Sequence, residues 1–273
     1  MSGASHASRP VFVATGISGG LVSGLLGGGG GAVMIPLMTG VLKMKQHTAH
    51  GTSLVIIVFA ALATAVTYTL NEQIDWLLVA ILIAGSAAGA HVGARAANHL
   101  NAMRLRQCLG IFLLAVCARL IFFRHLDPVF SSDGGVEAAV GLAIGLVGGL
   151  ASGALGVGGG AIFVPAMVLL LGTEQHAAQG ISLWVVVASA LAGSTTHYLH
   201  GTVDMAAARW ITPLAVPAGI ASSLLASRLS SEALQVTFAL LLSAIGGQML
   251  ATATKRIRHE RRATFAIADA DAA

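Results

Sequence analysis

The sequence predicts an all-α polytopic membrane protein built from two homologous halves, and three observations carry that prediction. Of its 273 residues, 56% are hydrophobic and only 10% are charged, against about 25% charged in soluble domains, and the mean hydropathy is +0.83. Six apolar runs, 51–70, 76–94, 105–123, 181–199, 208–226 and 233–253, each approach the ~20 residues that a membrane span needs. The third observation is an internal repeat. The offset that lays Pro36 on Pro165 also superimposes Gln46-His47 on Gln175-His176, Gly51 on Gly180, Ser53-Leu54 on Ser182-Leu183, Thr67 on Thr196 and Asp75 on Asp204, with no gap.

Helices are favoured over strands because transmembrane strands are about 10 residues of alternating polarity, whereas these runs are twice as long and unbroken. Met1 to Pro10 shows no basic start leading into a short apolar core, so no cleaved leader is expected there. The expected organisation is an N-terminal tail (1–10), a first membrane repeat (11–123), a connecting loop (124–135), a second repeat (136–253) and a basic then acidic tail (254–273) expected to be disordered. Cys108 and Cys117, set apart along one helix, cannot pair and read as packing residues.

Each half opens with an apolar segment broken by glycines: Gly27 to Gly31 within 11–42, and Gly156, Gly158, Gly159 and Gly160 within 136–171. Paired glycine-interrupted segments in a duplicated membrane protein are the pattern of secondary transporters. Lysine and arginine decide how these segments sit. If each crosses once, six of the fifteen basic residues fall on the cytoplasmic side. If each enters, turns at its glycines and leaves by the same face, Arg9, Lys43, Lys45, Arg95, Arg104, Arg106, Arg209 and the five charges from Lys255 to Arg262 do so, twelve of fifteen, as the positive-inside tendency requires. Each repeat is then one re-entrant or discontinuous segment plus three spans. Consecutive units with an odd number of spans must be inverted repeats, against the alternative of a parallel duplication of four-helix units. Both termini fall in the cytoplasm, and the protein belongs in the cytoplasmic membrane.

Gly-x-Gly-Gly-Gly followed by Ala, apolar residues and Pro, with Ala-x-Gly-Thr-Ser-Leu further on, occurs at Gly27 to Pro36 with Ala49 to Leu54. It recurs at Gly156 to Pro165 with Ala178 to Leu183, where Ile181 stands in place of Thr52. This doubled motif resembles the sulfite exporter TauE/SafE family of membrane permeases, from about Gly16 to Leu250. The resemblance implies a secondary carrier for sulfur-containing anions such as sulfite, organosulfonates or sulfoacetate, in an eight-helix protein of two four-helix halves.

Independently of the resemblance, helices that begin at glycine tips expose about four unpaired N–H groups and roughly +0.5 of partial charge, and glycine lets a ligand approach the backbone. The expected substrate site is therefore Gly27, Gly28, Gly29, Gly30, Gly31, Gly156, Gly158, Gly159 and Gly160, with Thr52, Ser53 and Ser182 beside it. For the three hydroxyls, helix capping is the competing role. No Gly-Lys-Ser/Thr follows either tip, so a P-loop is excluded. The small residues spaced by four, Gly16-Gly20-Gly24 and Gly141-Gly145-Gly149-Gly153, read as close-packing faces. Asp75 and Asp204 read as N-terminal helix carboxylates.

Proton-coupling candidates are His91, first, then His47, His176 and His197, since ionisable residues within spans are functional candidates by default. No transmembrane acid pair suggests a metal, and no cofactor is expected. The partners are a small anion and the bilayer; the basic tail points to anionic lipid and away from nucleic acid, and association with further copies is left open. The function expected is proton-motive-force-linked transport of a small sulfur-containing anion, with no enzymatic activity. A passive anion channel and an intramembrane serine hydrolase using Ser23 or Ser152 are the rival readings.

Overall fold

The computed structural model describes residues 9–96, 102–122, 134–155 and 159–271. Its elements are helices α1 (Arg9–Leu26), α2 (Gly31–Gly40), α3 (Gln46–Asn71), α4 (Trp76–Ala96), α5 (Ala102–Phe122), α6 (Gly134–Leu155) and α7 (Gly160–Ala166). A π turn (Met167–Leu171) follows α7, and the chain continues through α8 (Gln175–Leu199), α9 (Met205–Ala226) and α10 (Ser231–Asp271). Among the described residues, five helices are long and apolar enough to cross a bilayer: 46–71, 76–93, 135–152, 175–199 and 231–254. The described residues thus give a polytopic all-helical chain. The span set differs from the six sequence runs in two respects: α6, the first arm of the second broken segment, is long enough to span, while α5 and α9 are not among the five.

Helix α1 stops where the glycines begin. Gly27, Gly29 and Gly30 take φ of 63°, 74° and 75°, left-handed values that a side chain resists. Helix α2 then folds back along α1, with Met34 against Gly19 and Gly30 against the Gly19 carbonyl. The second half repeats this at the equivalent positions: Phe163 lies against Gly148, and Gly159 against Phe163 and the Gly148 carbonyl. The short returning helices carry Pro36 and Pro165, and α7 runs into the π turn, which ends at Gly172 with φ 69°.

Small residues set the long contacts. Helix α1 packs on α9, and α6 on α4. A Cβ at Gly16 would lie 2.8 Å from the Ile211 carbonyl oxygen, and one at Gly145 would lie 2.8 Å from that of Leu82; Gly20 abuts the Ala215 carbonyl and Gly149 that of Ser86. Gly145 is the repeat equivalent of Gly16 and Ile211 that of Leu82, so one interface is written twice. These glycine rows are close-packing faces, since in hydrocarbon small residues let backbones approach and gain dispersion contacts.

Helices α3 and α8, the most buried of the spans, lie antiparallel at the centre. Gly51 meets His197 and Thr202 at one end, Leu54 meets Gly193, and Gly180 meets Tyr68 and Ile74 at the other. Asp75 opens α4 by accepting from the Leu77 and Leu78 amides at 2.8 and 3.0 Å, and Asp204 opens α9 by accepting from Ala207 N–H at 3.0 Å. Both carboxylates are helix caps. Cys108 and Cys117 are free thiols. Helix α10 continues to Asp271 through the stretch that sequence alone reads as a disordered tail. That stretch, Lys255 to Asp271, has no glycine or proline to break it.

Two glycines should respond oppositely to alanine. Gly149→Ala pushes a methyl into the backbone of Ser86 and should lower the thermal midpoint in detergent. Gly247, with nothing within 4 Å of an added Cβ, should tolerate alanine and gain up to about 1 kcal/mol of helix propensity.

Candidate functional site

The first glycine tip lies inside the protein at mid-depth. A Cβ at Gly29 would stand 2.7 Å from Val186 Cγ1 and 2.9 Å from Ile57 Cγ2, residues near the midpoints of α8 and α3. Gly28 meets the start of α7: Gly160 packs directly on Gly28 Cα, and a Cβ at Gly28 would lie 3.7 Å from Ala161 N. The broken segment of one half therefore touches the short helix of the other. Of the expected binding glycines, Gly27 to Gly30 form the turn, Gly31 opens α2, Gly159 precedes α7 and Gly160 opens it. Gly156 and Gly158 lie outside the described residues.

Three side chains pin the first tip through its carbonyls. Tyr68 Oη lies 2.8 Å from Gly24 O and 2.5 Å from Gln179 Oε1, its one hydrogen shared between the two acceptors; Gln179 Nε2 donates to Leu25 O at 2.9 Å, and Ser182 Oγ to Gly27 O at 2.9 Å. Tyr68, Gln179 and Ser182 are fully buried. With carbonyls 24, 25 and 27 occupied, the donors remain. Among the described residues, no acceptor faces the backbone N–H groups of Gly28 through Ala32; pairing resumes at Val33 and Met34, which both donate to Gly30 O at 3.1 Å. At the second tip the pattern recurs: Ile162 and Phe163 donate to Gly159 O at 2.9 and 3.0 Å, while Gly160 and Ala161 have no backbone acceptor among the described residues.

Ser23 stands one helical turn beyond Gly19, on the flank of α1 that α2 packs against. It is fully buried, and its Oγ has no hydrogen-bond partner among the described residues. Buried hydroxyls in helices usually bond back to a carbonyl one turn earlier, as Thr15 and Thr64 do. Ser23 is thus a spare donor and acceptor one turn before the tip, where Gly27 N–H donates to its carbonyl at 3.0 Å. No Lys, Arg, Asp or Glu occurs between Gly16 and Gly40 or between Gly141 and Gly172, so any positive character at the tips comes from the backbone.

The remaining expected residues have identifiable partners. Thr52 Oγ1 accepts from Asp204 N–H at 2.9 Å, joining α3 to the start of α9, and Ser53 Oγ bonds the His50 carbonyl of its own helix at 2.8 Å. Both are buried. His176 is also buried, with Nε2 3.2 Å from Ala226 O and Nδ1 3.3 Å from Ser231 Oγ, near Glu174. His47 and His91 are exposed on α3 and α4, so the structure does not bring His91 to the tips. His197 Nδ1 lies 2.8 Å from Thr202 Oγ1, and its ring meets the His50 ring edge-on at 5.2 Å between centroids. Among the described residues, no group of three or more His, Cys, Asp or Glu could hold a metal.

Sequence reasoning missed Tyr68, Gln179 and His50. A tyrosine deep in an apolar run is a signal for a buried hydroxyl needing a partner, but its partner is 111 residues away, and only the register of α3 on α8 brings them together.

No solved structure matches the chain. "Probable membrane transporter protein YunE" of Bacillus subtilis is 27% identical over 263 residues, covering 88% of this chain and 96% of that protein. A "Probable membrane transporter protein" of Xylella fastidiosa is 28% identical over 221 residues, 79% of this chain and 85% of that one. "Probable membrane transporter protein MJ0441" of Methanocaldococcus jannaschii is 24% identical over 199 residues, 71% and 73% of the two chains. A family model described as "Sulfite exporter TauE/SafE" matches residues 2–120 and 141–269, both halves of the repeat, and the chain belongs to the TauE/SafE family of membrane transporters.

Proposed function

We propose that this protein is a secondary carrier that moves a small sulfur-containing anion, such as sulfite or an organosulfonate, across the cytoplasmic membrane in company with protons. The observation that carries the reading is the first tip: five successive N–H groups without acceptors among the described residues, Gly28 to Ala32, together with the unpartnered, fully buried Ser23 Oγ. A buried donor without a partner costs about 1–3 kcal/mol, and an anion with several oxygens is the species that removes that cost at many donors together. The start of α7 approaches the same point and adds the N–H groups of Gly160 and Ala161. The family description supplies the sulfite expectation.

The antiparallel pairing of α3 with α8 supports inverted repeats. The two helices are equivalents in the repeat, so if both cross the bilayer they cross in opposite directions. With Lys43 and Lys45 placed in the cytoplasm, the start of α3, the end of α8 and the start of α9 share that face. The Gly51–Thr202 and Thr52–Asp204 contacts are consistent with this. Transport then consists of one half rocking on the other around a fixed midplane site.

A channel would share the tips, and concentrative uptake is what separates it from a carrier. A serine hydrolase needs a base within reach of its nucleophile, and among the described residues no imidazole is within hydrogen-bond distance of Ser23 Oγ.

In proteoliposomes, purified protein should take up sulfite or sulfoacetate against a gradient when the lumen is alkaline; equilibration without concentration would identify a channel. Gly29→Ala should reduce uptake at least tenfold, because the left-handed backbone and the Ile57–Val186 wall both reject a Cβ. Ser23→Ala removes a hydroxyl that has no protein partner among the described residues. The ligand-free melting point should therefore hold or rise while sulfite affinity falls about tenfold, the equivalent of about 1.4 kcal/mol; unchanged affinity would remove Ser23 from the site. In a Cys108→Ala/Cys117→Ala background, His47→Cys should react with an impermeant maleimide only from the cytoplasmic side and Glu174→Cys only from outside.

A further inference from the structure

We propose that His50 and His197 together form the proton-binding site of this carrier, an inference that rests on the proton-linked reading above. The two ends of the α3–α8 seam are equivalent in the repeat: the offset that lays Pro36 on Pro165 also lays His50 on Gln179 and Tyr68 on His197. The structure places both equivalent pairs in contact. At one end Tyr68 and Gln179 are hydrogen-bonded side chain to side chain, and at the other the His50 and His197 rings meet at 5.2 Å with planes 79° apart. A phenol and an amide take up no proton in the physiological range, whereas an imidazole has a nitrogen able to accept one. One position in the architecture is thus filled by a permanently neutral pair at one face and by a titratable pair at the other.

Thr202 Oγ1 lies 2.8 Å from His197 Nδ1 and 3.0 Å from His197 O, so this hydroxyl engages the Nδ1 side of the ring. Neither His197 Nε2 nor either nitrogen of His50 has a hydrogen-bond partner among the described residues. A tightly packed structural histidine would have such partners, as His176 does at Ala226 and Ser231.

The surroundings limit the pair to one proton. His47 lies one turn earlier on α3, His200 stands in the turn after α8, and Lys45 precedes α3, so further positive charge is disfavoured. From α9, Asp204 is the carboxylate on this side, its backbone N–H held by Thr52 and its side chain by Ala207 N–H. A proton taken from water at this face makes one ring a double donor and adds one positive charge to the seam beside Gly51, where the backbone of Thr202 is in van der Waals contact. That charge cancels a monovalent anion such as hydrogensulfite at the tips and halves the net charge of a dianion such as sulfoacetate, which lowers the cost of carrying the anion through a low-dielectric interior.

The decisive variant makes the two ends alike: His50→Gln with His197→Tyr. Wild-type and variant proteoliposomes loaded with a pH dye receive a sulfite or sulfoacetate gradient, and binding of the same anions is read by thermal shift. The expected result is anion affinity within twofold of wild type, with the anion-driven luminal pH change reduced at least tenfold and uptake no longer responsive to a pH gradient. A variant that still moves protons with the anion overturns the proposal, as does a wild-type protein that moves sulfite without protons. Should the double variant not fold, His197→Tyr and His50→Gln are tested singly: uncoupling by at least one of them supports the proposal, and full coupling in both overturns it. A wild-type protein that binds and moves none of these anions sinks the transport reading, and the pair is then judged by NMR of its imidazoles. Rings that titrate as a coupled unit, with the titration of His50 changed by His197→Tyr, support a shared proton site; two independent ordinary titrations refute it.

Discussion

The constraint on which the rest of this structure depends is that a helix broken inside a membrane must do something with the backbone groups it frees. Each unpaired N–H or C=O costs free energy in hydrocarbon, and irregular backbone survives there only when protein or a cavity surrounds it. The first tip meets this demand unequally. Its carbonyls at Gly24, Leu25 and Gly27 receive Tyr68, Gln179 and Ser182, all brought by α3 and α8. Its N–H groups receive nothing from the described residues. Helix polarity makes the imbalance useful: the end of α1 presents carbonyls and the start of α2 presents donors, so satisfying one and not the other leaves a positive site with no basic side chain.

Closeness is the second requirement, and glycine meets it in two different ways. At Gly29 and Gly30 the backbone itself is left-handed. At Gly16, Gly20, Gly145 and Gly149 the helix is ordinary, and the missing side chain lets a neighbouring carbonyl sit where a Cβ would be. The second use fixes how far α1 and α6 lie from α9 and α4, and therefore where the tips end. A scaffold set by backbone contacts can be written twice with little sequence in common beyond its small residues. The side chains that face the interior are then free to differ between copies, as Met34 and Phe163 do against Gly19 and Gly148.

Much of this was legible in the sequence because it is local or periodic. The constant offset between the halves, the helix-breaking glycines, the glycine rows and the capping roles of Asp75 and Asp204 all follow from spacing or from nearest neighbours. What was not legible depends on register between distant helices. Thr52 reads as a residue beside the substrate, yet it accepts from Asp204, 152 residues on. His91 attracts attention as an ionisable residue in a span, but the side of α4 that carries it is set by the glycines Gly85, Gly89 and Gly93, which turn the opposite face onto α6. His50 looks like a residue of a helix start until the antiparallel seam sets His197 against it. The length of α10 differs from the sequence expectation for another reason: a terminal stretch suggests disorder, while the absence of glycine and proline permits a helix.

The same seam explains why two halves that share a scaffold need different chemistry. Helices α3 and α8 touch near both ends, Gly51 with His197 and Gly180 with Tyr68, and the first tip is lodged between their midpoints. On the transport reading, separating one end exposes the tips to one side while the other contact acts as the pivot. If both contacts were equally strong at every pH, the carrier would have no reason to favour either side. Tyr68 and Gln179 bond to each other and to the tip, so the strength of their contact does not change with pH through the physiological range. The histidine end is joined by the contact of the His50 and His197 rings and by the Thr52–Asp204 bond, and a proton taken up between the rings alters the first of these. Asymmetry at two equivalent positions is therefore sufficient to make one opening depend on protonation, with no change to the duplicated frame.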